Sequence, residues 1–441
     1  MRQTCLQSIP SDLFAPARGP CGNKTDGPAV TPQCDLHQGD QTMTDMPADI
    51  IRQKRVVLYS HDTLGFGHLR RNMLLAGALK RMDPAPDVLM IAGMAEAGAF
   101  TLPPGVDVLT LPAYGKRADG SYHARSLGLE LKDLARLRSD IIRGALKAYD
   151  PDLVIVDNVP RGAQSELDRP LAALRQRGRA RIVLGLRDVI DAPETVRAQW
   201  LKRRNFAAIR DWFDEIWVYG DPNFFDLIEE YAFGDAFAAK AHFLGYLDQR
   251  KRLDGMAATD LPDQPYILCA VGGGRDGAAL CRAFAGATLP AGHRGIILTG
   301  TQMPAAARAQ LEASIAARPD MEIVDFLAEP LPLMQGAARI IAMGGYNTVT
   351  EALSLRRPTL IVPRTRPRLE QLLRAERLSA KGAIGMILPD HLTPDRLTAW
   401  MAGPPPCAGM GQDMLDMGGL DRMQARARML LAEPAPLEAV A

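Results

Sequence analysis

Residues Met343–Glu351, which read MGGYNTVTE, combine two glycines with a glutamate in a pattern that suits binding of a nucleoside diphosphate. They follow the apolar segment Arg339–Met343, so the sequence predicts a strand, a glycine turn and a helix beginning near Asn347 or Thr348. A helix N-terminus offers free N–H groups and a positive dipole to phosphate, and glycine lets a ligand approach the backbone. The carboxylate of Glu351 would then accept both hydroxyls of a ribose. The alternative is an ordinary turn whose glutamate is favoured only by the helix dipole.

A second glycine-rich loop, Gly272–Gly277 (GGGRDG), follows the apolar segment Tyr266–Val271. Successive glycines expose backbone N–H groups that can form a nest for an anion. The spacing fits neither the dinucleotide-binding GxGxxG pattern nor the P-loop pattern. On its own, this loop could equally be a tight turn between a strand and a helix.

A third loop, Ser60–Asn72 (SHDTLGFGHLRRN), places His61 and His68 after another apolar segment. Because an unperturbed imidazole has a pKa near 6.5, either histidine could take a proton from a hydroxyl group at neutral pH. The alternative for His68 is packing within the loop or contact with phosphate. Arg70 and Arg71 stand where a helix is predicted to begin, which opposes the helix dipole and favours an anionic ligand over a merely solvated helix start.

The elements that carry these loops are short apolar strands alternating with helical segments, in two series along the chain. This pattern predicts an α/β protein with two tandem doubly wound domains facing a cleft, in which ligands bind beyond the carboxyl ends of the strands. We predict a disordered N-terminal extension at 1–50, an N-terminal domain at 54–248 and a linker at 249–264. A C-terminal domain at 265–405 and a final helix at 418–433 complete the prediction.

The bulk composition excludes several classes of protein. A chain of 441 residues is too long for a single hydrophobic core of ordinary size. A net charge of +1 gives no reason to expect a nucleic-acid partner. The six cysteines have neither CxxC nor zinc spacing, so neither a metal nor another cofactor is expected. No apolar run is long enough to span a bilayer and no leader pattern is evident, which predicts a cytoplasmic protein.

The stretch from Met343 to Gln371 resembles the donor-binding region of GT-B glycosyltransferases, and in particular glycosyltransferase family 28, the group of the peptidoglycan N-acetylglucosaminyltransferase. A glycine-rich turn, a helix glutamate, a strand ending in Val362-Pro363 and an acidic/Gln pair occur in the family's order. The resemblance implies that Glu351 binds ribose and that Glu370 and Gln371 contact the sugar. The donor-binding residues implied or suggested in this way are Gly273, Gly274, Arg275, Phe326, Gly344, Gly345, Asn347, Thr348, Glu351, Glu370 and Gln371.

The motif around Gly67 and His68 resembles the first loop of many GT-B enzymes. In inverting members that act on hydroxyl acceptors, a histidine there is the general base and an aspartate after a later strand orients it. The resemblance therefore implies catalytic roles for His68 and Asp157, with His61 as the competing base. Candidate phosphate or acceptor contacts are Gly67, Arg70, Arg71, Arg364 and Arg368, although a solvated basic loop would also explain the last two.

The resemblance implies a transferase that moves sugar from a nucleotide-diphosphate sugar to a hydroxyl acceptor, inverting and metal-independent, in glycan or polysaccharide biosynthesis. The alternatives are a nucleotide-sugar epimerase or hydrolase on the same fold, or a non-catalytic nucleotide-sugar-binding protein. The acceptor would be a saccharide or a lipid-linked saccharide, the latter with a peripheral contact at the inner face of the membrane. Trp200–Phe206 is the candidate for that contact, with an ordinary surface helix as the alternative, and the loop Tyr114–Gly120 is a candidate for shaping the acceptor side.

Overall fold

The computed structural model describes residues 52–62, 66–117, 121–254, 261–404 and 415–432. The predicted extension at 1–50 lies outside the described residues, as do parts of the predicted linker and of the loop before residue 121.

The first domain is built on a parallel sheet of seven strands in the order β3-β2-β1-β6-β7-β8-β9, with a separate antiparallel hairpin formed by β4 and β5. Its strands are β1 (Arg55–Ser60), β2 (Asp87–Ala92), β3 (Val106–Thr110), β4 (Tyr114–Lys116), β5 (Tyr122–Ala124), β6 (Leu153–Asp157), β7 (Arg181–Arg187), β8 (Glu215–Tyr219) and β9 (Ala241–Phe243). Its helices are α1 (Gly67–Lys80), α2 (Leu131–Tyr149), α3 (Asp168–Arg177), α4 (Pro193–Lys202), α5 (Asn205–Trp212), α6 (Leu227–Glu230) and α7 (Asp235–Ala238). The central strands are buried along their length, which explains their continuous apolar sequences.

The second domain is a parallel sheet of six strands in the order β12-β11-β10-β13-β14-β15. Its strands are β10 (Tyr266–Ala270), β11 (Arg294–Leu298), β12 (Met321–Val324), β13 (Arg339–Ala342), β14 (Thr359–Ile361) and β15 (Gly385–Met386). Its helices are α8 (Ala278–Ala285), α9 (Ala305–Ile315), α10 (Leu331–Gly336), α11 (Tyr346–Ser354), α12 (Glu370–Ala380) and α13 (Pro394–Ala402). The prediction of two doubly wound α/β domains in tandem is confirmed.

The segments between and after the sheets tie the domains together. Gln249–Arg252 forms a short 3₁₀ helix in the predicted linker. The last described helix, α14 (Gly419–Ala432), returns to the first domain, where Gln424 Nε2 donates to the carbonyl oxygen of Ala78 at 2.7 Å. The chain therefore crosses between its two halves twice.

The strand orders explain how the three loops come together. In the first sheet, the order in which successive strands are added reverses between β1 and β6. The loop after β1 and the end of β6 therefore lie at the same crevice. In the second sheet, the reversal falls between β10 and β13, the strands that precede the two glycine-rich loops. Both crevices are topological switch points, where ligands bind in open α/β sheets.

The structure differs from the prediction in some elements. Helix α11 begins at Tyr346, before the predicted start, and β9, β15 and the β4–β5 hairpin were not predicted because they are only two or three residues long. The candidate membrane surface around Trp200 is not a continuous face. Helix α4 ends at Lys202, and Trp200 is buried in an aromatic cluster where its ring stacks on Phe233 at 4.7 Å.

Candidate active site

A cavity of about 290 Å³ lies where the two crevices face each other. It brings together residues predicted from five separate segments of the sequence: Gly67, His68, Arg70, Arg71, Gly273, Phe326, Gly345, Asn347, Thr348, Glu351, Glu370 and Gln371. The other predicted site residues are not in its wall: Asp157, Gly274, Arg275, Gly344, Arg364 and Arg368.

His68, in the first turn of α1, is joined to Asp157 at the end of β6. Its Nδ1 hydrogen-bonds Oδ2 of Asp157, which is 1% exposed and lies behind the histidine. Arg71, one turn further along α1, donates from Nε to Oδ1 and from Nη2 to Oδ2 of the same carboxylate, both at 2.7 Å. Spacing of three residues on one helix thus directs His68 and Arg71 at one aspartate.

The charge state of this group follows from its surroundings. Burial alone would raise the pKa of Asp157, but the charges of Arg71 and His68 and their hydrogen bonds lower it well below its ordinary value. The carboxylate is therefore ionised, and His68 must carry its proton on Nδ1 to make the contact. This tautomer leaves the Nε2 lone pair of His68 free to accept a proton.

His61, the competing base, occupies a different position. It is 7% exposed and outside the cavity wall, whereas the His68 side chain is 20% exposed and lines the cavity. The two rings lie with their centroids 4.6 Å apart. Burial, followed by the charge of His68, lowers the pKa of His61 well below 6.5, so this ring is neutral at physiological pH. Its position makes it a support behind His68.

The start of α1 is held by Asp62. Its Oδ1 accepts a hydrogen bond from the backbone N–H of Leu69 at 3.1 Å, and its Oδ2 accepts one from Ser60 Oγ at 2.5 Å. The carboxylate compensates the helix dipole that the arginines of the first turn oppose. Asp62 was not predicted as part of the site, because it does not occupy the N-cap position of α1, which is Phe66.

The opposite wall is made largely of backbone. Gly345 precedes α11 in an extended conformation, and a Cβ added there would meet no protein atom within 4 Å. Gly274 has φ of +90° and sits so close to Thr299 that a Cβ would lie 2.0 Å from its carbonyl oxygen. Gly345 is thus needed for space in the cavity, and Gly274 for the shape of the loop.

Residues 270–401 match the family model described as glycosyltransferase family 28 C-terminal domain. The second domain is a glycosyltransferase family 28 domain. A search of curated proteins found no match for the chain.

Comparison with solved structures identifies the fold of the whole chain. The calicheamicin glycosyltransferase CalG4 is similar with a TM-score of 0.56 and 18% identity, over 88% of this chain and 100% of that one. MurG from Acinetobacter baumannii is similar with a TM-score of 0.52 and 16% identity, over 85% and 99%. A putative UDP-N-acetylglucosamine 2-epimerase from Listeria monocytogenes reaches a TM-score of 0.59 at 13% identity, over 85% and 96%. The predicted GT-B fold is confirmed.

Glu351 of the family 28 domain is buried in the cavity wall and already has one protein partner. Its Oε1 accepts a hydrogen bond at 2.6 Å from Nη1 of Arg252, in the 3₁₀ helix between the domains. Arg252 also donates from Nε to Glu329 at 2.9 Å. One oxygen of Glu351 is therefore engaged by the linker, and for Oε2 the described part of the chain supplies no donor.

Glu370 and Gln371 begin α12 of the family 28 domain and line the cavity. Arg364 donates from Nη2 to Glu370 at 2.6 Å and from Nη1 to Asp276 at 3.0 Å, and its backbone N–H donates to Gln371 Oε1 at 3.0 Å. Arg364 thus holds the acidic/Gln pair in place from outside the wall. Its role as a phosphate or acceptor contact stays a prediction.

The other three predicted arginines, Arg70, Arg71 and Arg368, also have protein partners. Arg71 is 3% exposed and its guanidinium is committed to Asp157, so it positions that carboxylate. Arg70 reaches across the cleft and donates from Nη2 to the carbonyl oxygens of Leu327 and Ala328, at 3.0 and 2.9 Å. Arg368 lies outside the wall, 3.9 Å from Asp191.

The cleft is bridged by polar contacts between the domains. Tyr346 donates its hydroxyl hydrogen to the carbonyl oxygen of Tyr219 at 2.8 Å, and Asn347 Nδ2 donates to that of Gly67 at 2.7 Å. Arg374 is buried and pairs with Asp188 at 2.7 Å. These contacts fix the loop of His68 against the turn of the family 28 domain.

Arg187, Arg252 and Arg374 are the residues of this region that the sequence analysis missed. Arg187 ends β7 and lines the cavity. An apolar strand that runs directly into Arg187-Asp188 could have been recognised as a signal, because ligands lie beyond the carboxyl ends of such strands. For Arg252 and Arg374 no comparable local pattern exists.

Two searches of the described residues gave no positive result. None of the described helices is both long and apolar enough to cross a membrane. No group of three or more His, Cys, Asp or Glu residues in the described ranges is arranged to hold a metal ion.

Proposed function

We propose that this protein is a glycosyltransferase that moves a sugar from a nucleotide-diphosphate sugar to a hydroxyl group, with inversion and without a metal ion, in glycan or polysaccharide biosynthesis. The observation that carries the proposal is the single cavity shared by His68, backed by Asp157, and by the glycine turn and Glu351 of the family 28 domain.

In the proposed reaction, the nucleotide lies against the family 28 domain. Glu351 accepts ribose hydroxyls through the oxygen that Arg252 leaves open, and the diphosphate lies at the N-terminus of α11 beside Gly345. Glu370 and Gln371, which line the cavity, contact the sugar hydroxyls. These contacts would place the anomeric carbon toward His68.

The transfer step uses the groups of the first domain. Nε2 of His68 takes the proton of the acceptor hydroxyl as its oxygen forms a bond to the anomeric carbon. The bond from that carbon to the phosphate oxygen breaks, and its electron pair leaves with the nucleoside diphosphate. Asp157 stabilises the imidazolium that forms, because its carboxylate is ionised and bonded to Nδ1. The helix dipole of α11 stabilises the charge on the leaving diphosphate.

A nucleotide-sugar epimerase or hydrolase is the second candidate, because the putative UDP-N-acetylglucosamine 2-epimerase shares the fold. The fold alone does not choose between the two activities. The match of the second domain to a glycosyltransferase family favours transfer. Turnover of the nucleotide sugar without any acceptor would favour the second candidate, and binding without turnover would favour a non-catalytic binding protein.

The proposal is tested by a panel of UDP-, GDP- and dTDP-sugars, with the thermal stability of the full chain as the first measurement. A ligand at about 100 times its Kd stabilises the folded state by roughly 2.7 kcal/mol, so a true donor should raise Tm clearly. Calorimetry on Glu351→Gln should then show binding weakened about tenfold or more, because an ionised acceptor is lost from the ribose.

Glu322→Gln is the matched control, since Glu322 is exposed on β12, away from the cavity. Its affinity for the donor should equal that of the wild type. If no nucleotide sugar stabilises the protein, or if Glu351→Gln and Glu322→Gln behave alike, the proposed donor site is wrong.

A further inference from the structure

Arg187 is a cation in the wall of the cavity. It is the last residue of β7, and its side chain lines the cavity between the two domains. Among the described residues, none accepts a hydrogen bond from its guanidinium or forms an ion pair with it within 4.0 Å, and its Nε is closed off from solvent. A buried donor without an acceptor is costly, so a ligand that supplies acceptors is the natural complement of this group.

The neighbouring arginines show that this arrangement is specific to Arg187. Arg71 is paired with Asp157 and Arg374 with Asp188, each at 2.7 Å, and Arg364 is paired with Glu370 at 2.6 Å. Each of these three carboxylates therefore already pairs with another cation. Arg187 belongs to none of these pairs, and it faces the space where substrates are proposed to bind.

Arg187 keeps its charge despite its surroundings. Burial, with the charges of Arg71 and Arg374, lowers its pKa to about 10, while Glu370 and Asp157 act in the opposite direction. A pKa of about 10 leaves the guanidinium fully protonated at neutral pH. The cavity therefore presents a permanent positive charge with free donors, which is the arrangement that binds carboxylate or phosphate.

The position of Arg187 indicates which part of a substrate would carry the anion. The carboxylates that act on it are Glu370, predicted to bind the transferred sugar, and Asp157, which orients His68. The predicted ribose ligand Glu351 and the glycine turn belong to the opposite domain. Arg187 therefore shares the cavity wall with Glu370 and His68 and interacts with Asp157 behind that histidine.

We propose that Arg187 binds a carboxylate or phosphate group borne by one of the two sugars that meet at His68, so that the protein transfers an acidic sugar or transfers onto an acidic acceptor. This inference rests on the proposed glycosyltransferase function and specifies its substrate class. The shared chemistry is an anionic group close to the anomeric carbon or to the accepting hydroxyl. Its two sources, the donor sugar and the acceptor, are separated by experiment.

The donor arm compares matched ligands by calorimetry on the full chain. The pair is UDP-glucose and UDP-glucuronic acid, or GDP-mannose and GDP-mannuronic acid if the nucleotide panel selects guanine. If the donor carries the anion, the acidic sugar nucleotide should bind at least about tenfold more tightly than the neutral one. Arg187→Gln should remove that preference and leave the neutral donor within about twofold of wild type.

The acceptor arm repeats the comparison with the nucleoside diphosphate present, using methyl glucoside, methyl glucuronide and glucose 6-phosphate. If the acceptor carries the anion, the preference for an acidic compound should appear here and be lost in Arg187→Gln. Arg187→Lys, which keeps the charge but not the planar pair of donors, should retain part of it. Arg210→Gln, on an exposed arginine of α5, should leave every affinity unchanged.

Three outcomes overturn the proposal. One is equal affinity for neutral and acidic compounds in both arms, and another is an acidic preference that survives in Arg187→Gln. The third is an equal loss of neutral and acidic donors in Arg187→Gln, which would place the guanidinium on the diphosphate that all donors share. In each case, the proposed function stands if nucleotide binding still depends on Glu351. If no nucleotide binds, both the proposed function and the proposed role of Arg187 are wrong.

Discussion

The two walls of the cavity are built by different means. The wall from the first domain carries His68 and Arg71, both oriented by the carboxylate of Asp157 behind them. The wall from the family 28 domain consists of a glycine turn and a helix N-terminus, where space and backbone dipoles matter more than side-chain identity. The first wall suits proton transfer and the second suits holding a diphosphate.

This difference determines how each wall can fail. The first depends on a pairing between residues 89 positions apart, so one lost charge leaves another buried charge unpaired. The second depends on a local turn, so it fails when atoms are added to it. Substitutions that remove a group should therefore break the first wall, whereas the glycine turn of the second should be broken by substitutions that add one.

The largest effect is expected from removing the proton acceptor of the first wall. His68→Ala should lower kcat by roughly 10²–10⁴-fold, the usual contribution of a general base, while donor affinity stays within about twofold. The donor is held by the opposite wall, which this change does not touch. The measurement is the initial rate of transfer with the donor and acceptor identified above, beside calorimetric donor affinity.

Two further variants test whether the lower rate of His68→Ala comes from the loss of the proton acceptor. His391→Ala, at an exposed position of the second domain, should keep the wild-type rate. Asp157→Asn should lower the rate as well, and should also destabilise the protein by about 3–5 kcal/mol because Arg71 would remain buried without its carboxylate. A His68→Ala enzyme with a rate within twofold of wild type would show that the proton acceptor is a different group.

A smaller effect, on binding alone, is expected from adding one carbon to the second wall. Gly345→Ala places a Cβ where no protein atom lies within 4 Å and where the backbone is already extended, so folding stability should change by less than about 0.5 kcal/mol. The same carbon occupies space proposed for the diphosphate, and affinity for the nucleoside diphosphate should fall about tenfold. Calorimetry and urea unfolding measure the two quantities.

Gly144→Ala is the matched control, because a Cβ there also meets nothing within 4 Å but lies on the exposed face of α2. It should leave affinity unchanged and stabilise the helix slightly, since alanine has the higher helix propensity. If Gly345→Ala binds the nucleoside diphosphate as tightly as wild type, the diphosphate does not lie against this turn.

The same contrast explains how much of the molecule could be predicted from its sequence. The second wall is local, because strand β13, the two glycines and Glu351 follow one another in the chain, and one stretch of sequence contained the whole arrangement. The buried strands were predictable for a related reason, since continuous apolar segments such as Leu153–Asp157 have few alternatives to a covered parallel sheet.

The contacts that depend on several distant segments were not predictable. Whether the Nε2 of His68 is free depends on Asp157 and Arg71 together, and the unpaired state of Arg187 depends on which neighbours are already engaged. Arg252 reaches Glu351 only because the linker folds back on α11. Residue type and spacing show which groups are present, whereas their partners are decided by tertiary packing.

The smallest effect concerns His61, which supports the first wall without lining the cavity. Its pKa is lowered by burial, so below pH 6.5 the unfolded chain binds a proton that the folded protein does not. The stability due to the neutral ring is fully present above pH 6.5 and should fall by about 1.4 kcal/mol for each pH unit below it. Urea unfolding of wild type and His61→Gln between pH 7.5 and 5.5 measures this, and the variant should lack that component of the slope.

The pH dependence of folding stability also distinguishes the role of His61 from that of His68. The matched control is His391→Gln, at an exposed position outside the cavity wall, which should retain the wild-type slope. If His61→Gln also retains it, then the ring of His61 is already protonated or accessible in the folded state and would return as a competitor for the role of base. If the slope is lost while transfer activity persists, His61 acts only by packing behind His68, and the proton of the acceptor passes to His68.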